Sequence, residues 1–319
     1  MIPTLGLPLA PAGRFQGSCS IMLYRRCLHS GLALSVVRLR LSAHSYRKNP
    51  ADVRGIVERA LENGINAFQI DSSDIGFLSQ ISQVLKVVDR SILFVSLTAR
   101  DDLGASHAGP LALPALKQRL AEAVRLPGLQ RLDMVTFQSA EFRALPPEGH
   151  AFLRRLSETQ MVSQVGAQVE PADYLAVLDA GYPTGILTDF DVTASKGRRR
   201  MIEDASRRNL SVFAQNFYPA RLIEGRSGES IRSHLSSVHT GGTALTGADK
   251  YSFLTQEIGW TAEEICLGFT LSQPQIVSAG VVARSPEHLD GLAAVAGRTL
   301  PRALHAHVEL GTFAVDSAA

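Results

Sequence analysis

Asn49-Pro-Ala-Asp-Val-Arg-Gly-Ile-Val-Glu-Arg-Ala-Leu-Glu-Asn-Gly-Ile-Asn-Ala-Phe-Gln-Ile-Asp71 holds one amphipathic helix followed by one strand. Asn49 suits the N-cap, and Pro50 suits the first turn, where a missing N–H costs nothing. Val53, Ile56, Val57, Ala60 and Leu61 recur at helical spacing and form a single apolar stripe, which Gly64 ends. The strand then runs over residues 66–71.

The same alternation recurs on either side, starting near residue 36. Residues 92–97 predict a third strand, 132–137 a fourth, 163–167 a fifth, 184–189 a sixth, 210–215 a seventh and 276–282 an eighth. Helical stretches separate them. One carries Ile81, Val84, Leu85 and Val88, one ends near Arg125, and others span 148–160, 171–180 and 195–207. Thr261 is placed to cap a helix that runs through Ser272, and Ser285 with Pro286 opens the last. Eight strand signals, each followed by a helix, predict a closed (β/α)8 TIM barrel. An open doubly wound sheet is the alternative. It is weakened because no Gly-x-Gly-x-x-Gly follows the first strand.

With 319 residues, 45% of them hydrophobic and 19% charged, the chain can bury a core of that size. Residues 22–319 are read as one barrel domain. Residues 1–21 are read as a flexible extension, or as sequence upstream of a start at Met22. No basic region precedes their apolar stretch, so a secretory signal is not expected. Residues 226–248, rich in Ser, Gly and Thr, predict a long loop over one barrel end. A net charge of +2 gives no reason to expect nucleic acid, and Lys196, Arg198, Arg199 and Arg200 read as a solvated helix face. Cys19, Cys27 and Cys266 lack metal-ligand spacing and fit a reducing, cytoplasmic setting, with Cys266 on an apolar stripe. No apolar run reaches the length of a membrane span.

Several segments in fixed order resemble the aldo-keto reductases. The stretch from Met22 to Ser35 is similar to that family's opening, and Gly64-Ile-Asn-Ala-Phe68 resembles its Gly-Ile-Asn-x-Phe. Residues 214–225 match the span of its Ala-Tyr-Ser-Pro segment, and Gln273-Pro274 through Ala283-Arg-Ser-Pro-Glu287 is similar to its last strand and cofactor-binding helix. The resemblance implies reduction of carbonyls by NADPH. In the family a tyrosine is the general acid, with a lysine, an aspartate and a histidine around it, each near a strand's C-terminal end.

At those positions this chain has Gln69, with Asp71 the nearest carboxylate, then Thr98 and Gln138. No tyrosine occurs between Tyr46 and Tyr174, no lysine between Lys86 and Lys117, and no histidine between His107 and His150. Three of the four roles are therefore vacant in any local alignment. The implied cofactor site is altered too. Arg38-Leu39-Arg40 stands where the family has Gly-x-Gly, Ala167-Gln168 where it has Ser-Asn, Gln215 at its stacking tyrosine, and Val282 at the glycine before its phosphate-binding Arg-Ser. Arg284 and Ser285 remain and are suited to a phosphate at a helix N-terminus. The same pair also reads as a capped helix with a surface arginine.

Asp71, Asp74, Thr98, Gln138, Gln168, Asp189, Gln215 and Asn216 fall near strand C-terminal ends. An ion-pair network of Asp71 and Asp189 with Arg38 and Arg40 is expected there, because an unpaired buried charge is costly. The functional expectation is a degenerate aldo-keto reductase-like protein, non-catalytic, that binds a small molecule or a protein partner, with NADPH affinity weak or lost. The alternatives are an NADPH-dependent oxidoreductase with a non-standard site, protonating through Asp71, Asp74 or water, and a different enzyme on a reused barrel. No metal is implied.

Overall fold

The computed structural model describes residues 22–43, 46, 51–72, 74–99, 113–156, 158, 161–219, 259–303, 305 and 306. Two short strands come first, β1 (Tyr24–Arg26) and β2 (Ala33–Ser35), paired antiparallel. Eight parallel strands follow: β3 (Val37–Leu41), β4 (Ala67–Ile70), β5 (Phe94–Thr98), β6 (Leu132–Gln138), β7 (Val162–Gln168), β8 (Gly185–Asp189), β9 (Ser211–Gln215) and β10 (Ile276–Val281). They pair in sequence order, and β10 returns to β3 through Ala279 opposite Val37 and Gly280 opposite Arg38, closing the barrel.

The helices lie between successive strands in sequence, with the last after β10: α1 (Ala51–Glu62), α2 (Ile75–Leu85), α3 (Leu113–Val124), α4 (Ser139–Arg143), α5 (Pro147–Leu156), α6 (Tyr174–Leu178), α7 (Lys196–Arg207), α8 (Ala262–Leu271) and α9 (Pro286–Ala294). The expected stripe of α1 packs inward, with Val53, Ile56, Val57 and Ala60 fully buried. Gly64 ends this helix in the left-handed region, at φ +77°, which an L side chain adopts only with strain. Thr261 and Glu264 form a capping box on α8, and Ser285 caps α9 with Pro286 at its first position.

Side chains alternate along each strand, so one set fills the barrel and the other meets the helices. The outward set joins the helix stripes in one large apolar layer that includes Val37, Leu39, Leu41, Phe68 and Ile70. A smaller inner cluster of Ala67, Phe94, Met134, Leu187, Phe213 and Val277 is closed from below by Cys27 and Leu34 of the β1–β2 hairpin. That hairpin plug is an element the strand reading did not assign.

The remaining departures from expectation are local. Residues 90–92 form a 3-10 turn, so the third barrel strand begins at Phe94. The basic run of α7 is not uniformly solvated. Arg198 pairs with Glu170 and donates to Thr188 and the Asp189 carbonyl, while Arg199 lies over the rings of Phe190 and Phe269. The expected cap at Asn49, the segment 1–21 and the loop at 226–248 lie outside the described residues. No helix among the described residues is long and apolar enough to cross a membrane.

Candidate functional site at the barrel mouth

In β3 the order Val-Arg-Leu-Arg-Leu points Val37, Leu39 and Leu41 at the helices, which turns Arg38 and Arg40 toward the barrel axis. Arg40 is the nearer of the two to the C-terminal mouth. Its Nε and Nη2 donate to Asp71 Oδ2 at 3.1 and 2.8 Å, and its Nη1 donates to Asn216 Oδ1 at 3.1 Å. Asp71 Oδ1 accepts from Gln69 Nε2 and from Thr98 Oγ1, each at 2.6 Å. Thr136 Oγ1 extends the chain to Thr98 at 3.0 Å. On the far side Asn216, in the left-handed region at φ 51°, donates to Asp189 Oδ1 at 3.0 Å. Asparagine tolerates that backbone better than most residues.

The expected network is therefore present around Arg40, directly through Asp71 and by way of Asn216 to Asp189. It does not extend to Arg38, and that part of the expectation is corrected. Arg38 is 0% exposed, and its guanidinium lies 4.9 Å from the Phe213 ring centroid. Its Nη2 reaches the Ala214 carbonyl at 3.4 Å, while Nε and Nη1 have no partner among the described residues. Burial, and after it the neighbouring Arg40, push the guanidinium from its ordinary 12.5 down to about 9, with Asp71 pulling the other way. Arg38 therefore stays charged at neutral pH.

Gly280 of β10 makes room for this pair. A Cβ at that position would sit 2.7 Å from Arg40 Cδ, 3.0 Å from Arg40 Cγ and 3.2 Å from Arg38 Nη2. The arginines thus occupy the space that the glycine leaves.

The remaining expected residues separate into those that join the mouth and those that do not. Gln69, 2% exposed, and Gln215, 1% exposed, lie inside it, and the Oε1 atom of each has no partner among the described residues. Gln138 and Gln168 are half-buried neighbours across β6 and β7, and the backbone N–H of Gln138 also caps α4 by donating to Glu141 at 3.1 Å. Asp74, in the segment after β4, spends its carboxylate on capping α2, accepting from Phe77 N at 2.8 Å, and is not bonded into the Arg40 network. Tyr46, between β3 and α1, donates to the Ala283 carbonyl just after β10, and His150 of α5 meets Tyr182 in the turn before β8. No group of His, Cys, Asp and Glu able to hold a metal ion occurs among the described residues.

At the other expected corner, Ser285 Oγ caps α9 by accepting from His288 N at 3.2 Å. Arg284 is largely exposed, and its Nη2 donates to Glu263 Oε2 at 3.0 Å. His288 Nε2 lies at the same distance from that oxygen. Glu263, 21 residues before Arg284, had no signal in the sequence that would place it here.

An aldo-keto reductase of Bacillus halodurans, solved in its holo form, superposes with a TM-score of 0.67 at 15% identity, covering 91% of this chain and 96% of that one. The chain has the aldo-keto reductase fold. A Pseudomonas aeruginosa protein assigned as an aldo-keto reductase superposes with a TM-score of 0.64 at 13% identity, over 89% of this chain and 98% of its own. No protein-family model matches the chain, and no curated protein matches it in sequence. In this fold the C-terminal ends of β3 to β10, where Arg40 and Asp71 pair, form the face on which barrel enzymes build their sites.

Proposed function

We propose that this chain is a degenerate aldo-keto reductase-like protein that does not reduce carbonyls and acts by binding at the barrel mouth. The observation that carries this reading is the Arg40–Asp71 pair. A general acid must be free to give a proton to a substrate atom within hydrogen-bond reach. Here the one carboxyl near the expected aspartate position accepts from Arg40, Gln69 and Thr98 instead. The positions of the lysine and histidine carry Thr98 and Gln138, neither of which transfers protons at neutral pH.

The residues do not suit a nicotinamide cofactor. Arg38 and Arg40 fill the end of β3 and the space beside Gly280, where glycines would let a ring approach the backbone. At the phosphate corner Glu263 takes both Arg284 and His288 and sets a negative charge where a phosphate would have to come. The alternative, an NADPH-dependent oxidoreductase, draws only on Ser285 and Arg284 at the start of α9.

Titrating the purified chain with NADPH while following nicotinamide fluorescence tests the reading. The expected result is no saturation at micromolar cofactor and no cofactor oxidation with an aldehyde panel. Saturable binding below ~10 µM, a free energy of about −7 kcal/mol, overturns it.

A further inference from the structure

We propose that the barrel mouth is a binding site for a small monocarboxylate that also carries a hydroxyl group, taken by Arg38 together with Gln69 and Gln215. This rests on the binding function proposed above and adds the class of ligand. The first observation is the unpartnered guanidinium. A charge this deeply buried is tolerated when it is paired, and removing or lacking a partner costs several kcal/mol. Among the described residues Arg38 has unused donors at Nε and Nη1, and its only hydrogen bond is the 3.4 Å contact to Ala214.

The second observation concerns acceptors. Gln69 Oε1 and Gln215 Oε1 are buried without a donor among the described residues, and the orientation of the Gln69 amide is set by its bond to Asp71. These groups occupy one sector of the barrel. Gln69 lies beside Arg40 across β3 and β4, and Gly280 lies beside Arg38 across β10 and β3. Gln215, one residue after the Ala214 that pairs with Ala279, adjoins Gly280 on the other side. A ligand that satisfies the sector must therefore accept from a guanidinium and donate to an amide oxygen. A carboxylate bearing a hydroxyl does both.

The charge count selects one negative charge over two. Arg40 is already paired with Asp71 and reaches Asp189 through Asn216, which leaves Arg38 as the mouth cation with no carboxylate bonded to it among the described residues. A phosphate dianion would bring a second charge toward two aspartates, and the like-charge contact opposes it. Arg40 stands between Arg38 and the mouth on the same strand face, so an entering carboxylate passes under its field as well.

Calorimetric titration of the full chain with glycolate and with lactate tests this, with acetate, inorganic phosphate and methylammonium in parallel arms. Glycolate or lactate should bind with one-to-one stoichiometry at neutral pH. Acetate, which leaves an amide oxygen unpaired, should bind roughly tenfold more weakly, and phosphate and methylammonium should give no saturable heat. Arg38→Met, which keeps the apolar stem, should weaken it at least ~100-fold.

Absence of binding by both hydroxy acids at tens of millimolar, unchanged affinity in Arg38→Met, or phosphate binding as tightly as glycolate would each overturn the inference. If Arg38→Met does not fold, the ranking of glycolate over acetate and phosphate on the native chain decides. NADPH is titrated in the same series. Saturable cofactor binding defeats the broader reading, whereas silence from both cofactor and hydroxy acids defeats only the ligand assignment.

Discussion

Arg38 and Arg40 show how one local pattern carries two opposite consequences. In a sheet with one solvated face the alternation Val-Arg-Leu-Arg-Leu would put both arginines in water. Barrel closure puts them inside, where each needs a partner. Arg40 has one, and its pair with Asp71 holds the mouth together through Gln69 and Thr98. Asp71→Asn keeps the shape but turns a neutral amide toward Arg40. The side chains of Arg40 and Asp71 retain 19% and 11% exposure, so the loss should fall short of that for a fully buried pair. A destabilisation of about 2–3 kcal/mol in urea unfolding is expected, with Asp189→Asn, which acts only through Asn216, costing under ~1 kcal/mol. Equal effects from the two variants would show that Asp71 is not the hub. The residue types of this network were legible, since Asp71, Thr98, Asp189 and Asn216 all fall at strand ends. The partnering was not, because nothing in the spacing tells which of two inward arginines a carboxylate reaches.

The elements were far more legible than their contacts. All eight barrel strands lie where β-branched runs predicted them, because a strand buried on both faces must be apolar along its outer side at least. The caps at Thr261 and Ser285 follow from side chains that satisfy free N–H groups locally. The β1–β2 hairpin escaped because Tyr24-Arg-Arg26 reads as polar and basic, and its apolar contribution comes from the turn residue Cys27 and from Leu34. Gly128 is a position where an element's packing gives a sharp test. This glycine, in the turn before β6, donates to Ser82 Oγ at 3.1 Å. A Cβ on it would lie 2.1 Å from the Ser82 carbonyl oxygen and 2.8 Å from Lys86 N, both backbone atoms of the last turn of α2 and its cap. Neither can rotate away. Gly128→Ala should therefore cost about 3 kcal/mol or more by forcing α2 off β6, measured by urea unfolding with amide exchange at Val84 and Leu85. A loss under ~0.5 kcal/mol would mean that the turn repacks freely.

At the scale of the whole molecule the barrel has two differently built ends. The mouth is polar, with two arginines, two aspartates and several amides. The opposite end is sealed by the hairpin, whose Cys27 and Leu34 sit on the inner cluster and whose Leu28 N–H donates to Ser211 Oγ at 3.1 Å. Arg25 ties this plug to the chain's closing segment. Its Nη1 donates to the Gln273 carbonyl at 2.8 Å and to that of Ile276, and its Nη2 donates to the Leu271 carbonyl. These oxygens lie at the end of α8 and the start of β10, the strand that closes the barrel. A cation there also meets the negative end of the α8 dipole. Burial lowers the Arg25 pKa, yet its donors remain engaged. Arg25→Met keeps the stem and strips the donors, leaving carbonyls at the α8–β10 turn to find water. A loss of about 2–4 kcal/mol in urea unfolding is expected, with Arg25→Lys recovering under half, because one ammonium cannot fork across three carbonyls. Hydroxy-acid affinity at the mouth should stay within about twofold of the parent chain in both variants, because Arg25 shares no hydrogen-bond partner with Arg38, Gln69 or Gln215 among the described residues. If stability instead moves by less than ~0.5 kcal/mol, the hairpin is a surface ornament on a barrel that closes without it.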